Sequence, residues 1–403
     1  MIDKEHKLYI VGAGSGVESQ LSGEAGGIIA GCRHIAAGKR LLELAPEGAE
    51  TFAIGSNLEA LRGFIAAGIV HGDVCVIASG DPGCFSIMPF LKEHFPENCI
   101  AIPGISTMQQ LSARLCLPWQ DWKLISLHGR SRELVPMPAY SQPTLYFCDD
   151  AYPPQAIAGN LPGALAGRRA AAGVALGQDA EKVWQGILGE APALGFPGNS
   201  VLLVFPEEEP PSLNASAPGI PDELWLRAEG VPLSKSEVRA VLLAKAHPHG
   251  RAVIWDSGAG TGSYGIESAL LEPRARVFSI DKKSEACDLV AANARRFGAV
   301  IETVCAEAPA CYDDLPRPDL LIIGGNDGRL EQIFGAALAA LAPAGRIVVT
   351  ALLEETKKQA HALFAASGLS ARAATRVVIS RGESRKWVEN NPVIIFTGDK
   401  PEE

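Results

Sequence analysis

The 403-residue chain lacks any paired-cysteine spacing: Cys32, Cys75, Cys84, Cys99, Cys116, Cys148, Cys287, Cys305 and Cys311 include no C-x-x-C pair. Neither a disulfide scaffold nor a zinc site is expected, and the nine thiols read as free cysteines of a reducing compartment. Positive charge is also scarce, with 36 Lys plus Arg against 46 Asp plus Glu, a net charge of −10 and a pI near 5.4. Nucleic acid and anionic membranes reward a basic surface, so neither is an expected partner. No apolar run reaches the roughly 18 residues of a membrane span, because Gly, Pro or a charge interrupts each one. The opening MIDKEHKLYIVGAG has no long apolar segment of the signal-peptide kind, and a cytoplasmic protein is expected.

What is present is a folded composition, 47% hydrophobic and 20% charged, in a chain long enough for two or more domains. Residues 206–222 begin PEEEPPSLNASAPGIP, with five prolines and three consecutive glutamates, and read as a linker. They separate an N-terminal part, 1–205, from a C-terminal part, 223–403. In the latter, short β-rich runs (252–256, 276–281, 301–306, 319–325, 345–353) alternate with helical patterns near 284–297, 328–341 and 354–367. That alternation predicts a parallel sheet with helices on both faces, closed by an antiparallel pair at 371–380 and 391–398. The N-terminal part repeats the α/β pattern less regularly. It is expected to form two lobes, about 1–117 and 122–205, breaking near Pro118.

After AVIWD comes Ser257-Gly258-Ala259-Gly260-Thr261-Gly262-Ser263 and a helix-compatible run, a strand–glycine turn–helix arrangement that bares backbone N–H groups to a ligand. Ser263 stands where the dinucleotide fingerprint wants glycine or alanine, so the spacing is GxGxG, preceded by Asp256. Asp281, 23 residues after Gly258 and at the end of the next strand, is placed to accept from ribose hydroxyls. A tight turn with Asp281 as a helix cap is the plainer alternative. Gly324, Gly325 and Asn326 follow the fourth strand, at the carboxyl edge where open α/β sheets bind ligands.

The GxGxG loop is similar to motif I of the S-adenosylmethionine-dependent methyltransferases. EGVPLSKSEVRAVLLAKA (229–246), DSGAGTGSYGIE (256–267), IIGGNDG (322–328), GRIVVTALLEET (345–356) and ISRGESRKWVENNPVIIFTG (379–398) together resemble the decarboxylating methyltransferase domain of cobalamin biosynthesis. In the first part, LYIVGAGSG (8–16), SGDPGCFSI (79–87), IPGISTMQQLSARLCLPWQD (102–121) and ISLHGR (125–130) resemble the tetrapyrrole methylases. Ser15 departs from that family's G-x-G-P-G start, which bears on the loop shape and on the activity of this half.

The order of the two parts resembles the precorrin-6B C5,15-methyltransferase (decarboxylating) family. The resemblance implies an α/β protein with a two-lobed tetrapyrrole methylase fold followed by a Rossmann-like class I methyltransferase fold. It implies methylation of precorrin-6B at C-5 by the first part, and methylation at C-15 with loss of the C-12 acetate carboxyl by the second, giving precorrin-8. One S-adenosylmethionine per domain is expected, with no metal required by the protein. Relatives of the second domain form tetramers, so a homo-oligomer is expected.

By this resemblance the first cofactor lies against Gly12, Gly80, Asp81, Pro82, Ser106 and Thr107, although Gly80-Asp81-Pro82-Gly83 alone is simply a turn sequence. His128, near a strand end, reads more readily as a structural histidine than as a base. The second cofactor is expected against Ser234, Asp256, Gly258, Ala259, Gly260, Thr261, Gly262, Asp281, Glu307 and Ala308. Candidate substrate contacts are Gly324, Gly325 and Asn326, together with the cations Arg381, Arg385, Lys386, Arg239 and Lys235, which could meet a substrate rich in carboxylates. No catalytic side chain is singled out, because the macrocycle's conjugation supplies both nucleophile and electron sink. A cobalt-containing substrate stays open. So do a methyltransferase of another substrate class, a dinucleotide oxidoreductase, which Ser263 argues against, and a non-catalytic tetrapyrrole carrier.

Overall fold

The computed structural model describes residues 6–128, 134–208, 211–213, 216–383 and 386–402. The chain divides into two compact units, one of Met1–Ser131, Thr144–Gly159 and Ala166–Val204, the other of Arg132–Pro143, Asn160–Leu165 and Phe205–Glu403.

In the first unit, β1 (Leu8–Gly12), β2 (His34–Ala37), β3 (Glu50–Ala53), β4 (Val74–Ala78) and β5 (Cys99–Ile102) form a wholly parallel sheet in the order β3-β2-β4-β1-β5. The central strands read VCVIA and LYIVG, nearly continuous apolar runs, as a strand covered on both faces requires. A second sheet joins β6 (Lys123–Ser126), β7 (Thr144–Phe147), β8 (Arg169–Val174), β9 (Lys182–Ile187) and β10 (Ser200–Val204) in the order β6-β7-β10-β8-β9, antiparallel except for β6 on β7.

The second unit is built on seven strands, β11 (Val253–Ser257), β12 (Arg276–Asp281), β13 (Glu302–Cys305), β14 (Leu320–Ile323), β15 (Arg346–Ala351), β16 (Ser370–Val377) and β19 (Val393–Asp399), ordered β13-β12-β11-β14-β15-β19-β16. Pairing is parallel up to β15 and antiparallel on both sides of β19. Between β16 and β19 the chain makes a two-stranded hairpin, β17 (Ser380–Glu383) with β18 (Lys386–Glu389). Successive residues of a strand face opposite sides. Trp255 accordingly packs with Phe278, Tyr312, Phe334 and Phe364 in one core, and Ile254 with Val277, Leu242, Leu320 and Val348 in the other. Each such side chain, fully buried, contributes about 1.5–3 kcal/mol.

Helix Ser284–Phe297 buries Ala286, Cys287, Val290, Asn293, Ala294 and Phe297 at helical spacing and stops at Gly298, whose φ of 70° suits glycine. Leaving β11, the chain turns into helix Ser263–Leu271. Leaving β14, it runs away on the other side of the sheet, so the strand order reverses between these two neighbours. The crevice at their carboxyl ends is where such sheets receive ligands.

Candidate functional site

The loop after β11 is shaped by contacts that only glycine permits. Gly258 has φ 73°, and a Cβ there would overlap the Gly325 carbonyl oxygen, so the loops after β11 and β14 touch backbone to backbone. The Gly258 and Ala259 N–H groups both donate to Ile280 O, at 2.9 and 3.0 Å. The Gly260 N–H donates to Asp281 Oδ2 at 2.9 Å, and the Lys283 N–H donates to Oδ1 at 3.0 Å. Asp281 is thereby fixed on the rim of a cavity of about 110 Å3, whose walls include Gly258, Gly260, Ala306, Ala308, Gly325 and Asn326.

A larger cavity, about 680 Å3, opens on the other side of the same glycines and shares Gly258, Gly260, Gly325 and Asn326 with the first. Gly324, Ala259, Ser234, Lys235, Tyr264, Thr350, Leu352, Leu353 and Asn390 line it. The Tyr264 hydroxyl donates to Ser234 Oγ at 2.7 Å, and burial pushes the phenol pKa up to about 12. Lys235 Nζ donates to Asn390 Oδ1 at 2.8 Å. Tyr264, Thr350 and Asn390 escaped the reading of the sequence, since they come from three separate segments. The position of Tyr264 in the first helical turn after the loop was the one available signal.

Several of the expected contacts do not line either cavity. Asp256 is fully buried, lines neither cavity and accepts from the Gly265 N–H at 2.9 Å, bracing the helix start. Its other oxygen, Oδ1, has no partner among the described residues, and burial raises its pKa to about 7. Thr261 is likewise fully buried, with its carbonyl accepting from Asn293 Nδ2 at 3.2 Å. Gly262 packs over Val290. Glu307 is exposed and paired with Arg329 at 2.8 Å, while its neighbours Ala306 and Ala308 face the small cavity.

Among the expected cations, Arg239 is buried in an ion pair with Glu267 at 2.7 Å and another with Asp222 at 2.9 Å, and it also donates to Ser234 O and Ile220 O. Arg381 is held by Glu237 at 2.6 Å and Asp222 at 2.8 Å. That guanidinium keeps the Glu237 carboxyl down at about 2. Arg239 and Arg381 are therefore structural ties. Arg385 lies outside the described residues, and Lys386 opens β18.

In the first unit, Gly12, Gly80 and Gly104 bring three strand-end loops into backbone contact. A Cβ on Gly104 would overlap Gly80 O, and one on Gly12 would overlap the Gly104 backbone. Gly14 and Gly80 exchange N–H···O bonds of 3.1 and 2.9 Å. Asp81 accepts from the Gly83 N–H at 2.7 Å and the Gly104 N–H at 3.1 Å, with Pro82 next in the turn. Ser106 caps helix Thr107–Leu115 in a reciprocal box with Gln109, its hydroxyl accepting from the Gln109 N–H and its own N–H donating to Gln109 Oε1. Ser15 Oγ donates to Gln20 Oε1 at 2.8 Å, while Ser15 O accepts from Arg40 and Gln178 at 2.6 and 2.9 Å. His128 is exposed.

Residues 225–400 match the family described as a precorrin methyltransferase domain, and residues 7–192 match the tetrapyrrole (corrin/porphyrin) methylases. A precorrin-6Y C(5,15)-methyltransferase [decarboxylating] from Sinorhizobium sp is 32% identical over 353 residues, 86% of this chain and 84% of that protein. The chain belongs to this family. A probable cobalt-precorrin-6B C(15)-methyltransferase (decarboxylating) from Saccharolobus solfataricus is 35% identical over 196 residues, 47% of this chain and 98% of its own length. The solved precorrin-6y C5,15-methyltransferase from Geobacter metallireducens is 33% identical, covering 45% of this chain and 97% of that one, with a TM-score of 0.43. Membership gives the molecule its α/β, tetrapyrrole methylase-like character and its use of S-adenosylmethionine. No described helix is long and apolar enough to cross a membrane.

Proposed function

We propose that the chain methylates precorrin-6B at C-5 and C-15 and removes the C-12 acetate carboxyl to give precorrin-8, using one S-adenosylmethionine in each half. The observation that carries the reading is the pair of cavities that share the glycine loops at the point where the strand order of the second sheet reverses, in a chain of this family. The sheet order supports reading the second unit as a Rossmann-like class I methyltransferase fold. The nine cysteines, none of them disulfide-bonded, favour a cytoplasmic setting.

The residues present fit the cofactor. Asp281 offers a fixed carboxylate to ribose hydroxyls, Ala306 and Ala308 leave a smooth wall for the adenine, and Gly258 and Gly260 keep side chains off the wall that both cavities share. When bound there, S-adenosylmethionine supplies an electrophilic methyl group to an electron-rich carbon. The protein's part is positional: Ser234, pinned by Tyr264, holds the cofactor, and the Gly324–Asn326 turn sets the macrocycle's edge. Leu352 and Leu353 shield its face from water. In the first half, the Gly12, Gly80 and Gly104 junction with Asp81 and Pro82 presents backbone to the other cofactor.

The test is mass spectrometry of the product after incubation with S-adenosylmethionine and precorrin-6B, in metal-free and cobalt-loaded forms. Gain of two methyl groups with loss of one carbon dioxide is expected, and the preferred form fixes the natural substrate. An unchanged mass in both forms, with S-adenosylmethionine still bound, overturns the reading.

A further inference from the structure

We infer that Lys235 and Asn390 together form the receptor for one peripheral carboxylate of the macrocycle, one that the reaction leaves in place. The inference rests on the proposed substrate. Of the side chains known to line the 680 Å3 cavity, Lys235 alone is cationic, whereas Asp327 and Glu355 add negative charge. A polycarboxylate entering this cavity therefore needs a counter-charge that its walls otherwise lack.

Three of the described neighbouring cations are paired with carboxylates. Arg239 and Arg381 are bound to Glu267, Asp222 and Glu237, and Lys282 to Asp327 at 2.7 Å. Lys235 is half-buried, and the partner recorded for its ammonium is a neutral amide oxygen, Asn390 Oδ1 at 2.8 Å. Exchanging that oxygen for a carboxylate adds the attraction of opposite charges to a hydrogen bond whose donor is already ionised. Asn390 is held at the base of the hairpin, its backbone N–H donating to Ile379 O at 2.9 Å and its Nδ2 reaching the same oxygen at a longer 3.3 Å. Rotation of this amide would present Nδ2 to the carboxylate that Lys235 receives, giving two donors from opposite walls.

The recognised carboxylate is not the one expelled. Loss of carbon dioxide disperses the negative charge of the departing group into the macrocycle, so a cation clamped on it would stabilise the ground state more than the transition state. Lys235 therefore acts through uniform binding, which appears in KM.

The experiment follows the full chain acting on precorrin-6B at saturating S-adenosylmethionine, with C-15 methylation and decarboxylation scored by mass spectrometry. Lys235→Met and Asn390→Asp, the latter placing a permanent carboxylate against the ammonium, should each raise KM for the second step about tenfold or more. The singly methylated, undecarboxylated intermediate should then accumulate at low substrate. Lys235→Arg should recover most of the loss, and the dependence of KM on ionic strength should weaken in Lys235→Met. S-adenosylmethionine affinity, measured by calorimetry on each variant, serves as the folding control. Unchanged KM in Lys235→Met and Asn390→Asp, with a wild type that completes both steps, overturns the inference. So does a rise in kcat for Lys235→Met, which would put the lysine on the departing carboxylate. A wild type inert toward precorrin-6B fails the proposed function instead.

Discussion

At the scale of single residues, Asp256 has a titration that burial dictates. Its folded pKa near 7 lies above the ordinary carboxylate value of about 3.9. Between those values the native state retains a proton that the unfolded chain has released, so stability is greatest at the acid end of that window and falls as pH rises through 7. The slope from one such group is at most about 1.4 kcal/mol per pH unit. Asp256→Asn should flatten it, as read from urea midpoints between pH 5 and 8, and parallel pH profiles for variant and wild type would refute this origin. Asp281 accepts one backbone N–H on each oxygen, from Gly260 and Lys283, and keeps a further acceptor site on each for a ligand. Asp281→Ala should weaken S-adenosylmethionine binding in the second half by about tenfold or more, through loss of hydrogen bonds to a charged group. Calorimetry would count against its role by finding two equally tight sites. The glycine loop and Asp281 were legible in the sequence because their spacing is local. The inward turn of Asp256 was not, since it depends on the helix start at Gly265 lying directly against that carboxylate.

At the scale of elements, legibility followed length and apolarity. Helix Ser284–Phe297 and the fully buried β4, β11 and β14 were anticipated to within a residue or two, because each shows a sustained pattern of its own. Strands β2 and β3 have four residues each, β2 with an apolar run of only Ile35, Ala36 and Ala37 and β3 largely exposed, so neither shows a sustained pattern. Helix Gly23–Gly31 carries four glycines, and intrinsic propensity argues against it until tertiary packing of Ala25 and Ile29 decides. The polar hairpin β17–β18 was likewise silent. Nor could local sequence reveal that the Pro-rich stretch ends docked, with the Gly219 and Ile220 N–H groups on Glu267 and Asp222 on Arg239. Arg239 joins this stretch to helices Ser236–Ala246 and Ser263–Leu271. Arg239→Met strands Glu267 as a buried, unpaired carboxylate and should destabilise the second unit by about 3–5 kcal/mol. The double variant Arg239→Met/Glu267→Leu should recover much of that loss, since it removes both charges together. Thermal melts in which the double variant is no more stable than the single one would mean that the network's hydrogen bonds, and not its charges, hold these elements.

At the scale of the whole molecule, the two backbone junctions let each half be disabled through a single methyl group. Gly104→Ala sets a Cβ against Gly80 O in the first unit, and Gly258→Ala sets one against Gly325 O in the second. The first variant should yield product lacking the C-5 methyl, and the second a singly methylated product that retains its carbon dioxide. An equimolar mixture of the two full chains contains one working copy of each site, now on different molecules. If carrying both sites on one chain raises the effective concentration of the intermediate at the second site, the wild type should form product at a rate proportional to enzyme. The mixture should instead lag, and fall further behind as it is diluted, because its intermediate must find another molecule. Equal rates for wild type and mixture at every dilution would mean that the intermediate equilibrates with solvent between steps. The selective value of the fusion would then lie outside catalysis.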